Sequence, residues 1–109
     1  MNKFETVLLL SPDLSTQVVS KEEDIFSKNI ENNNGKIVNI EDWGLRDLAF
    51  TINNYKKAFY KFYQIELEGT KINDIKKQLT QNEKVLRHLF VKVNTHQDLP
   101  TKMKEHEEK

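Results

Sequence analysis

Between Tyr55 and Glu68 the chain reads YKKAFYKFYQIELE. At the two-residue period of a β-strand, Phe59, Tyr63, Ile65 and Leu67 point one way, and Tyr60, Phe62, Gln64 and Glu66 the other. A hydrophobic core explains aromatic groups on one face. Aromatic groups on the second face need a separate reason. That face is a platform for stacking bases, a patch for a protein partner, or the far side of a buried sheet.

The neighbouring segments decide what this strand sits in. Phe4 to Leu10 (FETVLLL) is a strand, apolar on both sides at its far end and stopped by Ser11-Pro12-Asp13. Ser15 or Thr16 can cap a helix, because a hydroxyl satisfies a free backbone N–H of the first turn. Val18, Val19, Ile25, Phe26 and Ile30 then recur at helical spacing as one apolar stripe. Asn32-Asn33-Asn34-Gly35 ends that helix, with Asn34 or Gly35 suited to a left-handed cap.

Lys36 to Ile52 is long for one strand. Val38 and Ile40 share a phase, as do Leu48, Phe50 and Ile52, while Trp43 and Leu45 take the other phase, so a bulge is expected near Trp43-Gly44. Asn53-Asn54 is a hairpin turn into the opening strand. Thr70 can cap a second helix, which buries Ile72, Ile75 and Leu79 and ends at Gln81-Asn82-Glu83. Val85 to Val93 is the last strand. From residue 95 to 109 the chain is polar and reads as a disordered tail after a single domain spanning 1–94.

The order is β-α-β-β-α-β. Each βαβ half leaves a gap for a strand of the other, giving an α+β, ferredoxin-like fold: a four-stranded antiparallel sheet with two helices on one face. The first and third strands are then central and the sheet's second face is bare. The helices' aliphatic stripes match Tyr63, Ile65 and Leu67 with Phe4, Leu8 and Leu10. Tyr60, Phe62, Gln64 and Glu66, with Glu5, Val7 and Leu9, fall on the open face.

Charge narrows what the open face does. Lysine plus arginine equals aspartate plus glutamate at 17 each, for a net charge of +0. A stand-alone nucleic-acid binder usually carries a basic excess, because phosphate neutralisation dominates its affinity. This chain would bind RNA through few local contacts or with a basic partner's help. The absence of cysteine excludes a disulfide framework, a thiolate metal site and a cysteine nucleophile. No apolar run approaches the roughly 18 residues a membrane span needs, and Met1-Asn2-Lys3-Phe4 lacks a signal-peptide layout. A soluble cytoplasmic protein is the expectation.

Lys57-Ala58-Phe59-Tyr60-Lys61-Phe62 partly matches the third-strand signature of an RNA-recognition motif, which shares this element order. Tyr60 stands where that signature wants a small residue. Glu5 and Val7 stand where the first strand wants a stacking aromatic, and Glu5 and Glu66 would repel a phosphate backbone. A stand-alone single-stranded RNA-binding module is therefore the alternative, not the main reading.

Catalysis finds less support. His106-Glu107-Glu108-Lys109 lacks the second histidine of a zinc-binding HExxH, and His88 sits in a strand. Glu22-Glu23-Asp24 falls on the polar side of a helix, where a solvated face accounts for it. No enzyme, metal, cofactor or small-molecule substrate is expected. Among scattered cations, Lys56 and Lys57 near the hairpin tip and Lys92 on an edge strand are placed for phosphate. Arg46 is the strongest candidate, because a guanidinium binds phosphate bidentately.

Trp43-Gly44-Leu45-Arg46-Asp47-Leu48-Ala49-Phe50-Thr51-Ile52 resembles the Gly-x-Arg-x-Leu-Ala-Tyr-Pro-Ile strand of bacterial small-subunit ribosomal protein six. Phe4-Glu5, Pro12, Phe62-Tyr63 and the segment from Asn82 to Val93 match in the same order, so the resemblance covers roughly Lys3 to Val93. It implies a non-catalytic, cytoplasmic, ribosome-associated protein. Such a protein binds the central domain of 16S rRNA as a heterodimer with small-subunit ribosomal protein eighteen. Arg46, Arg87 and Lys92 match positions that are basic in the family, and Lys3 a near-terminal basic one. The candidate RNA contacts are therefore Lys3, Arg46, Lys56, Lys57, Arg87 and Lys92. The candidate partner surface is Trp43, Leu45, Tyr60 and Phe62. Asp47 and Asn54 depart from basic positions of the family pattern, Thr51 from its proline and Ala58 from its common glycine.

Overall fold

The two central strands form where the sequence is apolar in both phases. The computed structural model describes residues 1–96. Its elements run β1 (Asn2–Leu10), α1 (Thr16–Asn32), β2 (Lys36–Ile52), β3 (Tyr55–Leu67), a 3-10 turn (Gly69–Lys71), α2 (Ile72–Gln81) and β4 (Val85–Val93). The sheet order is β2-β3-β1-β4 with every neighbouring pair antiparallel. This is the expected ferredoxin-like fold, with β1 and β3 in the centre. The tail expected over 95–109 lies, from residue 97 onward, outside the described residues.

Both helices are built on short local devices. Ser15 caps α1, its hydroxyl accepting a hydrogen bond from the Val18 N–H at 3.3 Å. The helix turns out at Asn34, which takes the left-handed conformation at φ 65°, and the Gly35 N–H donates to the Ile30 carbonyl at 2.8 Å. A Cβ on Gly35 would stand 2.8 Å from Ile30 and Leu67 side-chain carbons, so this close passage of α1 over the sheet needs glycine. Thr70 does not cap α2. The 3-10 turn leads into it and no side chain caps its first turn.

The core lies between the helices and one sheet face. Phe26 and Ile30 of α1, and Ile75 and Leu79 of α2, pack on Phe4 and Leu8 of β1 and on Tyr63, Ile65 and Leu67 of β3. Each such side chain contributes roughly 1.5–3 kcal/mol by leaving water. The Phe26 and Tyr63 rings meet at 4.7 Å between centroids. The α1 stripe is narrower than its sequence predicts: Ile25 is exposed, and Glu22 is buried in its place.

That burial corrects the reading of Glu22-Glu23-Asp24 as a solvated face. Asn82 Nδ2 donates to the Glu22 carboxylate, and Glu23 pairs with Lys61. Lys61 lies in the helix-side phase of β3, buried, with its ammonium 2.8 Å from both Glu23 and Asp42. Burial opposes its charge, but the two carboxylates outweigh burial and hold its pKa above the ordinary lysine value. The triad ties α1 to the bend of β2.

The bend is where phase predicts it. The register of β2 on β3 slips between Asp42 and Gly44, and Gly44 takes φ 76°. Asn53 and Asn54 both have positive φ, 50° and 70°, as a type I′ hairpin turn requires.

Candidate partner and nucleic-acid interface

The open face can be laid out rung by rung, because directly paired residues share a face. Across β4, β1, β3 and β2 the rungs read Arg87, Leu9, Tyr60, Gly44; then Leu89, Val7, Phe62, Glu41; then Val91, Glu5, Gln64, Asn39; then Val93, Lys3, Glu66, Lys36. β4 is apolar in both phases. A register shift between Leu9 and Leu10 sends Val85 to the core and leaves Leu89 and Val91 on the open side.

Two devices close part of this face. Trp43, the residue inserted at the β2 bulge, folds onto Phe62, with centroids 5.2 Å apart and planes 10° from parallel, and extends towards Tyr60 at 6.4 Å. Its indole N–H donates to the Glu41 carboxylate at 2.6 Å. Further along, Asn39 Nδ2 donates to the Gln64 amide oxygen at 3.0 Å, and Gln64 Nε2 donates to Glu5 at 3.0 Å. His96, just beyond β4, places Nδ1 3.6 Å from the same Glu5 carboxylate. This polar run keeps Gln64 satisfied although it is buried.

Between those devices the face is bare and apolar. Leu89 is 57% and Val91 46% exposed, beside half-buried Val7. Past Tyr60, Leu9 and Arg87 line a shallow depression of about 170 Å³ with Leu48, Ala49, Phe50 and Ile52 of the β2 arm, and Phe50 is 82% exposed. Apolar side chains gathered in this way form one patch rather than scattered surface residues, the kind of patch that interaction surfaces present.

The predicted site residues separate on this map. Trp43 and Phe62 are buried against each other, so they support the face and do not present it. Tyr60 stays half-exposed at the edge of the depression. Leu45 is exposed but pairs with Phe59, in the opposite phase. Phe62 at 3% exposure has no free ring face for a base, which removes the central stacking residue of the RNA-recognition-motif reading.

Of the cations, Lys3 and Arg87 stand on open-face rungs, Arg46 pairs with Ala58 in the same phase, and Lys56 shares that phase two residues earlier. Arg46 is held in place: its Nε donates to the Trp43 carbonyl at 3.0 Å, and its guanidinium lies 6.0 Å from the indole centroid. Lys57 and Lys92 are on helix-side rungs, and Lys57 sits 3.7 Å from Asp47. The structure thus sets the open-face cations around an apolar centre, not in one basic patch. Among the described residues no group of three His, Asp or Glu side chains is arranged to hold a metal ion.

Comparison with known proteins identifies the family to which this fold belongs. Residues 3–92 match the family described as Ribosomal protein S6. The chain belongs to the ribosomal protein S6 family. It is 34% identical over 103 residues to the small ribosomal subunit protein bS6 of Rickettsia felis, covering 94% of this chain and 85% of that protein. The bS6 of Allorhizobium ampelinum is 33% identical over 103 residues, covering 94% and 67%. The crystal structure of 30S ribosomal protein S6 from Thermotoga maritima superposes with a TM-score of 0.80 over 84% of this chain and 87% of that one. At 17% identity, that likeness speaks for the fold. The family resemblance of the WGLRDLAFTI strand is therefore borne out, and the S6 fold is the setting for the open face.

Sequence reasoning missed Leu48, Phe50, Leu89 and Val91 as parts of this surface. Their signal was present for Phe50, an aromatic beside a hairpin turn in the phase opposite to Trp43. It was absent for Leu89 and Val91, whose face is set by their pairing with Val7 and Glu5 of β1.

Proposed function

We propose that this chain is a non-catalytic structural component of the bacterial small ribosomal subunit, working in the cytoplasm. In this reading it binds the central domain of 16S rRNA together with small-subunit ribosomal protein eighteen. The observation that carries the proposal is the open sheet face, a bare apolar strip of Val7, Leu89 and Val91 with separated cations at its rim. An apolar strip is shaped for a protein, and separated cations are placed for a few phosphates each. The net charge of +0 agrees, since a basic partner would supply the remaining neutralisation. Among the described residues no helix is long and apolar enough to cross a membrane.

Within this proposal Lys3, Arg46, Lys56 and Arg87 touch rRNA from the open side, and Lys57 and Lys92 reach RNA that passes the helix side. The protein partner covers Tyr60, Leu89, Val91 and Phe50, with Trp43 and Phe62 as the support beneath. The test is RNA binding by this chain with and without protein eighteen. Weak, salt-sensitive binding alone and tight binding of central-domain RNA with the partner is the expected pair of results. Tight binding of short single-stranded RNA by the chain alone would replace this proposal with the stand-alone module.

A further inference from the structure

On the helix side the two helices do not close completely over the sheet. A cavity of about 290 Å³ opens between α1, α2, the end of β1, Tyr63 of β3 and the start of β4. Its floor is apolar, built from Leu8, Phe26 and Leu79, and its polar lining includes the Glu22 and Glu23 carboxylates and several side-chain amides. Among the described residues no lysine, arginine or histidine lines it, although the Lys61 ammonium is 2.8 Å from the Glu23 carboxylate.

Two groups at this cavity are under-served. Glu22 is buried, and among the described residues its carboxylate accepts from the neutral Asn82 amide, although a carboxylate accepts at about four lone-pair positions. Tyr63, fully buried, lines the same cavity, and among the described residues its hydroxyl has no hydrogen-bond partner. A buried hydroxyl without a partner is costly, and native structures usually supply one. Burial, and then the nearby Glu23, Asp42 and Asp24 charges, raise the Tyr63 pKa above the ordinary phenol value, so the group keeps its proton.

We propose that this cavity is a binding site for a compact organic cation, an ammonium group on a short apolar stem. The stem lies on the Phe26 and Leu79 floor, and the ammonium donates to the Glu22 carboxylate and to the Tyr63 hydroxyl oxygen. The lining selects against anions: Glu23 is already balanced by Lys61, but Glu22 adds a buried carboxylate whose partner is a neutral amide. The volume falls just below the range of about 300–1,000 Å³ usual for ligand pockets, which excludes a nucleotide and admits one ring or a short chain. The same chemistry is available from a free amine or from a lysine side chain of a bound protein.

The test is a heteronuclear NMR titration of the full chain with 2-phenylethylammonium, with a lysine capped at both ends, and with 3-phenylpropionate as the anionic control. Saturable shifts at Glu22, Phe26, Leu79 and Asn82 are expected with the cations and not with the anion. Saturation by the phenyl amine alone assigns a small molecule as the source. Saturation by the capped lysine as well assigns a protein side chain. Glu22→Gln keeps the Asn82 hydrogen bond and Tyr63→Phe keeps the packing, so both variants should retain the wild-type spectrum. Glu22→Gln is expected to weaken binding about tenfold, as loss of a charge-assisted hydrogen bond implies, and Tyr63→Phe several-fold. No saturable shift, an equal response to the anion, or affinities unchanged in both variants would each overturn the proposal.

Discussion

On its helix side the sheet buries Tyr63, Ile65 and Leu67 under α1 and α2, whereas on its open side Phe62 and Gln64 are buried nearly as deeply without any helix above them. There the cover is the sheet's own edge. Trp43 swings in from the β2 bulge over Phe62, and Asn39, Glu5 and His96 gather around Gln64. Helices cover a face continuously and one bulged strand covers it locally, so Val7, Leu89 and Val91 stay bare between the two local covers. The proposed interface is the part of the open face that the chain does not close by itself.

Truncating each kind of cover should show this difference in stability. Phe26→Ala opens the helix-side core between Tyr63 and Phe90 and should cost about 3–5 kcal/mol by urea unfolding. Trp43→Ala removes a cover one residue thick with no helix above it. It should cost less, about 2–3 kcal/mol, and expose Phe62. A loss equal to that of Phe26→Ala would mean that the open face is as fully a core as the other.

The triad linking the two regions comes next. Lys61→Met keeps the packing of the stem and leaves Glu23 and Asp42 facing each other. Removing one partner of a fully buried pair costs about 3–5 kcal/mol, but Asp42 is 61% exposed, so about 1–2 kcal/mol is expected here. Raised salt should recover part of that loss by screening the two carboxylates. No recovery would show that the ion pairs add little.

The smallest effect is a pH dependence on the edge strand. His88 has its pKa lowered, first by burial and then by the nearby Lys76 charge. A histidine with a lowered folded-state pKa leaves stability intact above its unfolded value near 6.5 and reduces it as pH falls through that value towards the folded one. Unfolding midpoints of the wild type should therefore fall between pH 7 and pH 5 more than those of His88→Gln. Parallel profiles would remove His88 from the account.

Much of this arrangement is legible in the sequence because phase alone decides it. Tyr63, Ile65 and Leu67 alternate with Phe62 and Gln64, Gly44 marks the bulge, and paired asparagines mark the turn. What phase does not carry is the direction of an inserted residue. Trp43 could be expected on a surface, and instead it folds back on Phe62 because the bulge turns it over the sheet. Nor does phase reveal pairings between separate elements. Lys61 sits among aromatic residues in sequence, and the two carboxylates that make its burial tolerable come from α1 and β2. The open-face role of Leu89 and Val91 was hidden for a third reason: β4 is apolar in both phases, and its register on β1, Leu89 opposite Val7 and Val91 opposite Glu5, decides which one faces out.

The bare strip is the proposed surface that takes the chain into its assembly, and Leu89→Asp addresses it directly. Leu89 is more than half exposed, so the substitution should leave the urea midpoint within about 0.5 kcal/mol of wild type. In sedimentation of cell extracts at moderate salt, the wild-type chain is expected with the small ribosomal subunit and the Leu89→Asp chain in the unbound fraction. A Leu89→Asp chain that sediments with the subunit as the wild type does, or a wild type absent from it, would contradict the central claim.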